Sequence, residues 1–134
     1  MTNIADEQCV QATTWKRDGT PVMTVIWPIT WGDDGTKVAF LTPIPSGKAK
    51  RLRHTPRVKL QPSDWDGFPI QGRPPVEGSV ELVEGEERDR VFAAIVAKYG
   101  QDAWDAAMGR GREYFASRGI EYTGDYAVIV TPDA

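Results

Sequence analysis

Apolar and polar residues alternate with a period of two along several short segments of this chain, a pattern typical of β-strands. The alternation is clearest over residues 76–84. The turn signals Asp18-Gly19 and Gly32-Asp33-Asp34-Gly35 separate the earlier segments. Strands are predicted over residues 8–16, 22–31, 37–42, 57–62, 76–84 and 126–131. The sequence therefore predicts a mainly β protein with about six antiparallel strands.

The segment 22–31 differs from the others because both of its faces are apolar. Met23 and Val25 lie on one face, and Val22 and Ile26 lie on the other. A strand with two apolar faces is expected at the centre of a barrel or against another subunit. Pro28 cannot donate a backbone hydrogen bond, so it indicates a bulge or an unpaired stretch within this strand.

Helical spacing of apolar residues predicts three helices. The first covers residues 46–54 and the second runs from Gly85 to Gly100, with Glu86 and Glu87 in its first turn, where acids are favourable. A weaker third helix covers residues 101–117, although Gly109 and Gly111 lie inside it. The order of elements predicts one domain over residues 1–134, an antiparallel barrel with helices at its ends.

Composition removes several classes of function. Cys9 is the only cysteine and His54 the only histidine, so an internal disulfide, a Cys/His metal cluster and a Ser-His-Asp triad all lack parts. The chain also has no apolar run long enough to span a bilayer and no signal-peptide pattern at its start. We therefore expect a cytoplasmic protein without membrane or metal sites, in which any chemistry belongs to a bound cofactor.

One segment is strongly basic. Residues 48–59 hold six Lys or Arg, one His and no acid, although the whole chain carries 16 basic and 19 acidic residues. Ser46 is a candidate N-cap, and the first turn after it contains Lys48, Lys50 and Arg51 where acids are usual. This arrangement predicts a phosphate site formed by the cations and the free N–H groups of the helix. The alternative is a charged helix face in contact with solvent.

Two other functions could use this basic segment. Ser46-Gly47-Lys48 echoes the end of a P-loop, but Thr42 stands where that motif needs glycine, and no Ser or Thr follows Lys48. A nucleic-acid-binding barrel could stack bases on Trp27, Trp31 and Phe40. The net charge of −3 argues against this second function, so no nucleic-acid partner is expected.

Several short segments together resemble a known family. They are residues 14–22, Trp27, residues 46–53, Pro56-Arg57-Val58, Val76-Glu77-Gly78 and Lys98-Tyr99-Gly100. In these segments the chain resembles the pyridoxamine 5′-phosphate oxidase-like split β-barrels, and within them the actinobacterial coenzyme F420-dependent oxidoreductases. The resemblance covers roughly residues 8–100, and residues 101–124 have no counterpart in it.

The resemblance implies an FMN-binding type of split barrel that forms a homodimer with the cofactor at the subunit interface. Lys48 and Arg51, with Lys50 nearby, match the phosphate-binding positions at the helix start formed by Ser46 and Gly47. Four residues match positions that line the flat ring: Thr24, Val25, Trp27 and Thr42. Thr55 stands before Pro56 where the family usually has Asn.

The number of cations favours F420 over FMN. An FMN phosphate carries about two negative charges, which would leave Arg53, Arg57 and Lys59 in excess. F420 has a longer anionic tail that could use them. We therefore expect hydride transfer between the deazaflavin C5 of F420 and a small organic substrate.

Three alternatives remain open: an FMN-dependent oxidase or reductase of the same fold, an F420 carrier or sensor without turnover, and a nucleic-acid-binding barrel. Residues 64–75 form a long loop that could contact the substrate. No catalytic acid is identified, and Tyr114, Tyr122 or a bound water could supply a proton.

Overall fold

The computed structural model describes residues 4–133, which form seven strands and three helices after a short 3₁₀ turn, Ile4–Asp6. The strands are β1 (Val10–Trp15), β2 (Pro21–Ile26), β3 (Ile29–Trp31), β4 (Lys37–Pro43), β5 (Arg57–Pro62), β6 (Val76–Val83) and β7 (Asp125–Pro132). The helices are α1 (Gly47–His54), α2 (Glu86–Tyr99) and α3 (Gln101–Ser117). The predicted mainly β, antiparallel fold is confirmed.

The seven strands form one sheet in the order β2-β1-β5-β6-β7-β4-β3, and every neighbouring pair is antiparallel. β2 and β3 are therefore the two edges of the sheet. They are separated in the chain only by Trp27 and Pro28, so the Cα atoms of Ile26 and Ile29 lie at most roughly 11 Å apart. The sheet must curl until its edges nearly meet, and the result is a split barrel.

The prediction of one long central strand over residues 22–31 was wrong. Pro28 has no N–H, and its carbonyl accepts hydrogen bonds from Lys98 Nζ at 2.6 Å and Tyr99 Oη at 3.0 Å instead of from a neighbouring strand. The chain consequently leaves one edge of the sheet at Ile26 and continues at the other edge. The outward-facing Met23 of β2 is 59% exposed.

The core has two layers. Inside the curled sheet lie the buried residues Val10, Val38, Phe40, Leu52, Val58, Leu60, Val128 and Val130. On the outer face of β3, β4 and β7, the residues Ile29, Ala39 and Ile129 pack against Val91 and Ile95 of α2. The helix α2 thus covers one outer face of the barrel.

The helix α3 is much less embedded than α2. Gly100, with a φ of 96°, ends α2 and begins α3, so the chain changes direction at this residue. Phe115 is the only buried side chain of α3, and Gly109 and Gly111 have open space beside them. Within residues 4–133, no helix is long and apolar enough to span a membrane.

Candidate functional site

The start of α1 is fixed to the end of β4 by two hydroxyl groups. Ser46 is the N-cap, and its Oγ accepts a hydrogen bond from the Ala49 N–H at 3.1 Å. The Thr42 Oγ1 lies 3.2 Å from the Ser46 Oγ, and the Thr42 side chain is buried. The first turn of the helix contains no acid. The positive end of the helix dipole is therefore not neutralised by side chains of its own turn.

A cavity of about 440 Å³ opens beside this helix start. We call it the basic pocket, and it is lined by Lys16, Arg17, Gly47, Lys50, Arg51 and His54. The turn between β1 and β2 brings Lys16 and Arg17 to the same end of the sheet as α1. An Arg17 Nη2 lies 3.0 Å from the His54 Nε2, which holds the turn against the end of the helix.

Arg51 is placed by two contacts. Its Nε donates to the Thr14 Oγ1 at 2.7 Å, and its Nη1 would lie 2.9 Å from a Cβ built on Gly47. A side chain at position 47 would therefore displace the guanidinium from its place beside the first turn of α1. Burial lowers the pKa of Arg51, because desolvation penalises the charged form.

No carboxylate is among the residues that line the basic pocket. Within residues 4–133, the ion pairs involve Arg57, Arg73 and Arg88, and none involves a cation of the pocket. Several cations beside a helix N-terminus, without carboxylates, form a favourable site for a phosphate-bearing ligand.

Lys48 points away from the basic pocket into a smaller cavity of about 140 Å³. We call this the aromatic cavity, and its walls include Val25, Trp27, Leu41, Lys48, Ile95 and Trp104. The Lys48 Nζ lies 5.9 Å from the centre of the Phe40 ring. Burial, with a smaller contribution from the Arg51 charge, lowers the pKa of Lys48 to about 8. Lys48 and Arg51 are thus three residues apart in sequence but line different cavities.

Trp27 is held in the wall of the aromatic cavity by other aromatic rings. It stacks on Tyr99 with ring centres 4.8 Å apart, and it meets Trp65 and Trp104 edge-on at 5.9 and 6.1 Å. The backbone after Trp27 is fixed by Lys98, whose Nζ donates to the carbonyls of Ala5, Glu7 and Pro28 at 2.6 to 2.7 Å.

The predicted site residues therefore fall into separate groups. Gly47, Lys50 and Arg51 share the basic pocket, whereas Val25, Trp27 and Lys48 share the aromatic cavity. Thr24 and Val25 also line a shallower cavity together with residues 66 and 67. The Thr24 Oγ1 is buried there and has no hydrogen-bond partner among the residues that the structure describes. Thr42 and Ser46 lie beneath the helix start and support it.

The three cations that the sequence placed in excess do not line the basic pocket. Arg57 pairs with Asp133, with an Nη1 to Oδ1 distance of 2.9 Å. Arg53 lies over the Tyr126 ring at 5.8 Å. Lys59 is paired in register with Thr13 of β1 and Glu77 of β6.

Sequence reasoning missed Lys16, Arg17 and His54 as members of the basic pocket and Trp104 as a wall of the aromatic cavity. The Lys16-Arg17 pair immediately before the Asp18-Gly19 turn was the available signal for the basic pocket. A hairpin turn at the end of the sheet nearest α1 would carry that pair to the helix. For Trp104 no local signal exists, because its position depends on how α3 folds back.

Comparison with known proteins gives a family and a fold. The sequence profile of the family described as Pyridoxamine 5′-phosphate oxidase matches residues 2–126. Among curated proteins, none matches the chain significantly.

Three solved structures illustrate the shared fold. A conserved hypothetical protein from Mycobacterium tuberculosis has a TM-score of 0.65 at 22% identity, covering 98% of this chain and 77% of that one. The heme storage protein HutZ from Vibrio cholerae has a TM-score of 0.66 at 14% identity, with 98% and 86% covered. An F420 reductase has a TM-score of 0.62 at 16% identity, with 98% and 91% covered. At these sequence identities the three comparisons show a shared fold only.

Proposed function

The chain belongs to the pyridoxamine 5′-phosphate oxidase family, and on this premise we propose that it is an F420-dependent oxidoreductase. The F420 reductase among the structural neighbours has the same fold, which makes this cofactor a natural candidate. When bound in reduced form, F420 would supply a hydride from its deazaflavin C5 to a small organic acceptor. The protein would bind and orient the two reactants and exclude water.

The observation that carries this proposal is the basic pocket. Lys16, Arg17, Lys50, Arg51 and His54 line one cavity along α1, and none of them forms an ion pair with a carboxylate among residues 4–133. A phosphate monoester with about two charges needs two or three such contacts. F420, with a phosphodiester and a glutamate tail, is a longer anion that matches a larger set of cations.

The residues of the pocket fit a phosphate in their local chemistry. The Thr14 hydroxyl orients Arg51 through its Nε, and the two terminal nitrogens of the guanidinium have no acceptor among residues 4–133. A guanidinium presented in this way can bind two phosphate oxygens at once. Gly47, which has no side chain, leaves its backbone accessible beside that guanidinium.

We place the flat ring of the cofactor near Val25 and Trp27 and retain Thr24, Thr42 and Lys48 as neighbouring residues. Thr24, Val25 and Trp27 belong to β2 or to the residues that follow it at the sheet edge. Val25 lines both the aromatic cavity and the shallower one beside it. A haem function has less support, since the single histidine, His54, is hydrogen-bonded to Arg17 in the basic pocket.

Fluorescence titration of the purified protein with F420 and with FMN tests the proposal. We expect F420 to bind in the micromolar range and FMN much more weakly. Replacing Arg51 or Lys50 with Ala should lower F420 affinity by about 10- to 100-fold, because each removes a charge-assisted contact. Arg110→Gln, on the exposed face of α3, serves as the matched control. Tighter binding of FMN would assign the chain to the flavin-dependent alternative.

We also propose that the protein is a homodimer that covers the β2 edge. Met23 of β2 is 59% exposed, and Phe68 in the loop beside this strand is 68% exposed. An open edge strand next to exposed apolar side chains favours association with a second chain.

Light scattering should therefore report a mass of about twice 14.9 kDa. Met23→Glu should shift the protein toward the monomer, because it places a charge in the proposed interface. Tyr114→Glu, at a comparably exposed residue of α3, should leave the mass unchanged. A monomeric parent protein that still binds cofactor would contradict the proposed dimer.

A further inference from the structure

A further cavity, of about 410 Å³, lies between α2, α3 and the start of β7, and nothing in the proposed cofactor site uses it. We call it the corner cavity. Its volume is in the range of small-molecule sites. It shares only the Trp104 ring with the aromatic cavity, so that ring separates the two spaces.

The corner cavity contains a buried carboxylate that is only half satisfied. Asp125 is 6% exposed, and its Oδ2 accepts hydrogen bonds from Arg88 Nη2 at 3.0 Å and Tyr122 Oη at 2.6 Å. Its Oδ1 is buried and has no hydrogen-bond partner in the described part of the chain. Burial, with a further contribution from Asp125, raises the pKa of Tyr122, so the phenol remains a donor. A buried oxygen without a partner is unfavourable unless a ligand supplies the donor.

The cavity also contains a cation without a carboxylate partner. Arg88 is engaged by both Asp89 and Asp125. Arg112 is different, because it lies over the Tyr122 ring at 5.2 Å and takes part in no ion pair within residues 4–133. The nearby Asp105 accepts a hydrogen bond from Gln101 Nε2 at 2.8 Å. Arg112 is therefore the available contact for an anionic group of a ligand.

The other side chains that line the corner cavity favour a flat apolar ligand. Phe92 and Trp104 meet at 5.7 Å in an edge-on arrangement, and Met108 lines the same cavity. Aromatic faces and a thioether favour contact with another aromatic ring.

We propose that the corner cavity is a binding site for a small aromatic carboxylate that carries a hydroxyl or amino group. The carboxylate pairs with Arg112, the hydroxyl or amino group donates to the Asp125 carboxylate, and the ring lies against Phe92, Trp104 and Met108. This site requires no cofactor, so its test is independent of the proposed F420 function.

The binding test uses the purified full chain and three probes: 4-hydroxybenzoate, benzoate and 4-hydroxybenzyl alcohol. Calorimetry and ligand-observed NMR should show saturable binding of 4-hydroxybenzoate with a Kd below about 1 mM. The two probes that lack one of the polar groups should bind at least about tenfold more weakly. No saturable binding of any probe at about 5 mM, or equal binding of the alcohol, would overturn the proposal.

Two glycines of α3 supply a matched pair of variants. Gly109 lines the corner cavity and Gly111 does not, and a Cβ at either position meets nothing within 4 Å. Replacing a glycine within a helix generally favours the helix, so neither variant should unfold the protein. Gly109→Phe should abolish binding of 4-hydroxybenzoate, whereas Gly111→Phe should retain the parental Kd.

A charge substitution gives the second readout. Arg112→Gln should weaken 4-hydroxybenzoate binding by about tenfold or more and leave the weaker binding of the alcohol unchanged. Arg110→Gln should alter neither. Unchanged 4-hydroxybenzoate binding in Gly109→Phe or in Arg112→Gln would place the ligand elsewhere and overturn the proposal.

Discussion

Two lysines close to Trp27 have opposite surroundings. Lys98 donates to the carbonyls of Ala5, Glu7 and Pro28, so its ammonium has a full set of acceptors. Lys48 has the Phe40 ring at 5.9 Å and, within residues 4–133, neither a hydrogen-bond acceptor nor an acid for its Nζ. Burial lowers the pKa of both groups.

The difference separates a structural lysine from a candidate ligand-binding one. Through its Nζ, Lys98 of α2 contacts both the N-terminal segment and the break between β2 and β3, so it holds these parts of the chain to the end of α2. A half-buried ammonium without an acceptor among residues 4–133, as at Lys48, is partly desolvated, which lowers the stability of the protein, and such a group tends to persist where function requires it. Lys98 is therefore expected to stabilise the fold, and Lys48 to destabilise it until a ligand arrives.

The largest effect is expected from Lys98→Met. This change removes one donor from each of three carbonyls, and the carbonyl of Pro28 keeps the Tyr99 hydroxyl. We expect the free energy of unfolding to fall by about 2 to 4 kcal/mol, measured by chemical denaturation. A loss below about 1 kcal/mol would mean that water replaces the ammonium and that the three bonds are dispensable.

Lys48→Met should change the free energy of unfolding in the opposite direction. Removing a desolvated charge and leaving an apolar side chain of similar length should raise the free energy of unfolding of the cofactor-free protein by about 1 to 3 kcal/mol at pH 7. If Lys48 contributes to the cofactor site, the same variant should bind F420 more weakly. A destabilised variant would contradict the distinction between the two lysines.

The pH dependence of this stabilisation provides a second check on Lys48. The pKa of Lys48 is about 8 in the folded protein and about 10.4 when unfolded. Below pH 8 both states hold the proton, so the unfavourable effect of burial is fully present. Above pH 8 the folded state loses the proton first, and stability rises with pH. The stability difference between Lys48→Met and the parent should therefore stay constant below pH 8 and shrink toward pH 10.

The sequence predicted the local features of α1 but could not predict the surroundings of Lys48. Ser46 and Pro56 act on their immediate neighbours, so the helix boundaries were correct. Lys48 and Arg51 lie three residues apart and were expected to act together. They separate because Arg51 bonds to Thr14 of β1 and Lys48 enters the cavity beside Trp27. Both placements depend on strands that are distant in sequence.

The break at Pro28 also depends on residues that are distant in sequence. Proline indicated an interruption in the strand, but the transfer of the chain to the opposite edge of the sheet depends on contacts with Lys98, 70 residues later. The basic segment was identified correctly as a local excess of charge. Its partners Lys16 and Arg17 join it only through the folding of the first hairpin.

The smallest effect is expected from Tyr99→Phe. This variant removes the hydroxyl that donates to the Pro28 carbonyl at 3.0 Å but retains the ring that stacks on Trp27. Because Lys98 still donates to the same carbonyl, the free energy of unfolding should fall by only about 0.5 to 1.5 kcal/mol.

Denaturation of the single variants and of Lys98→Met/Tyr99→Phe then measures the coupling between the two substitutions. In the Lys98→Met background the hydroxyl is the last donor to Pro28, so its removal should lower stability more than it does in the parent. Additive losses would show that the two donors act independently and that their effects are not coupled through the Pro28 carbonyl.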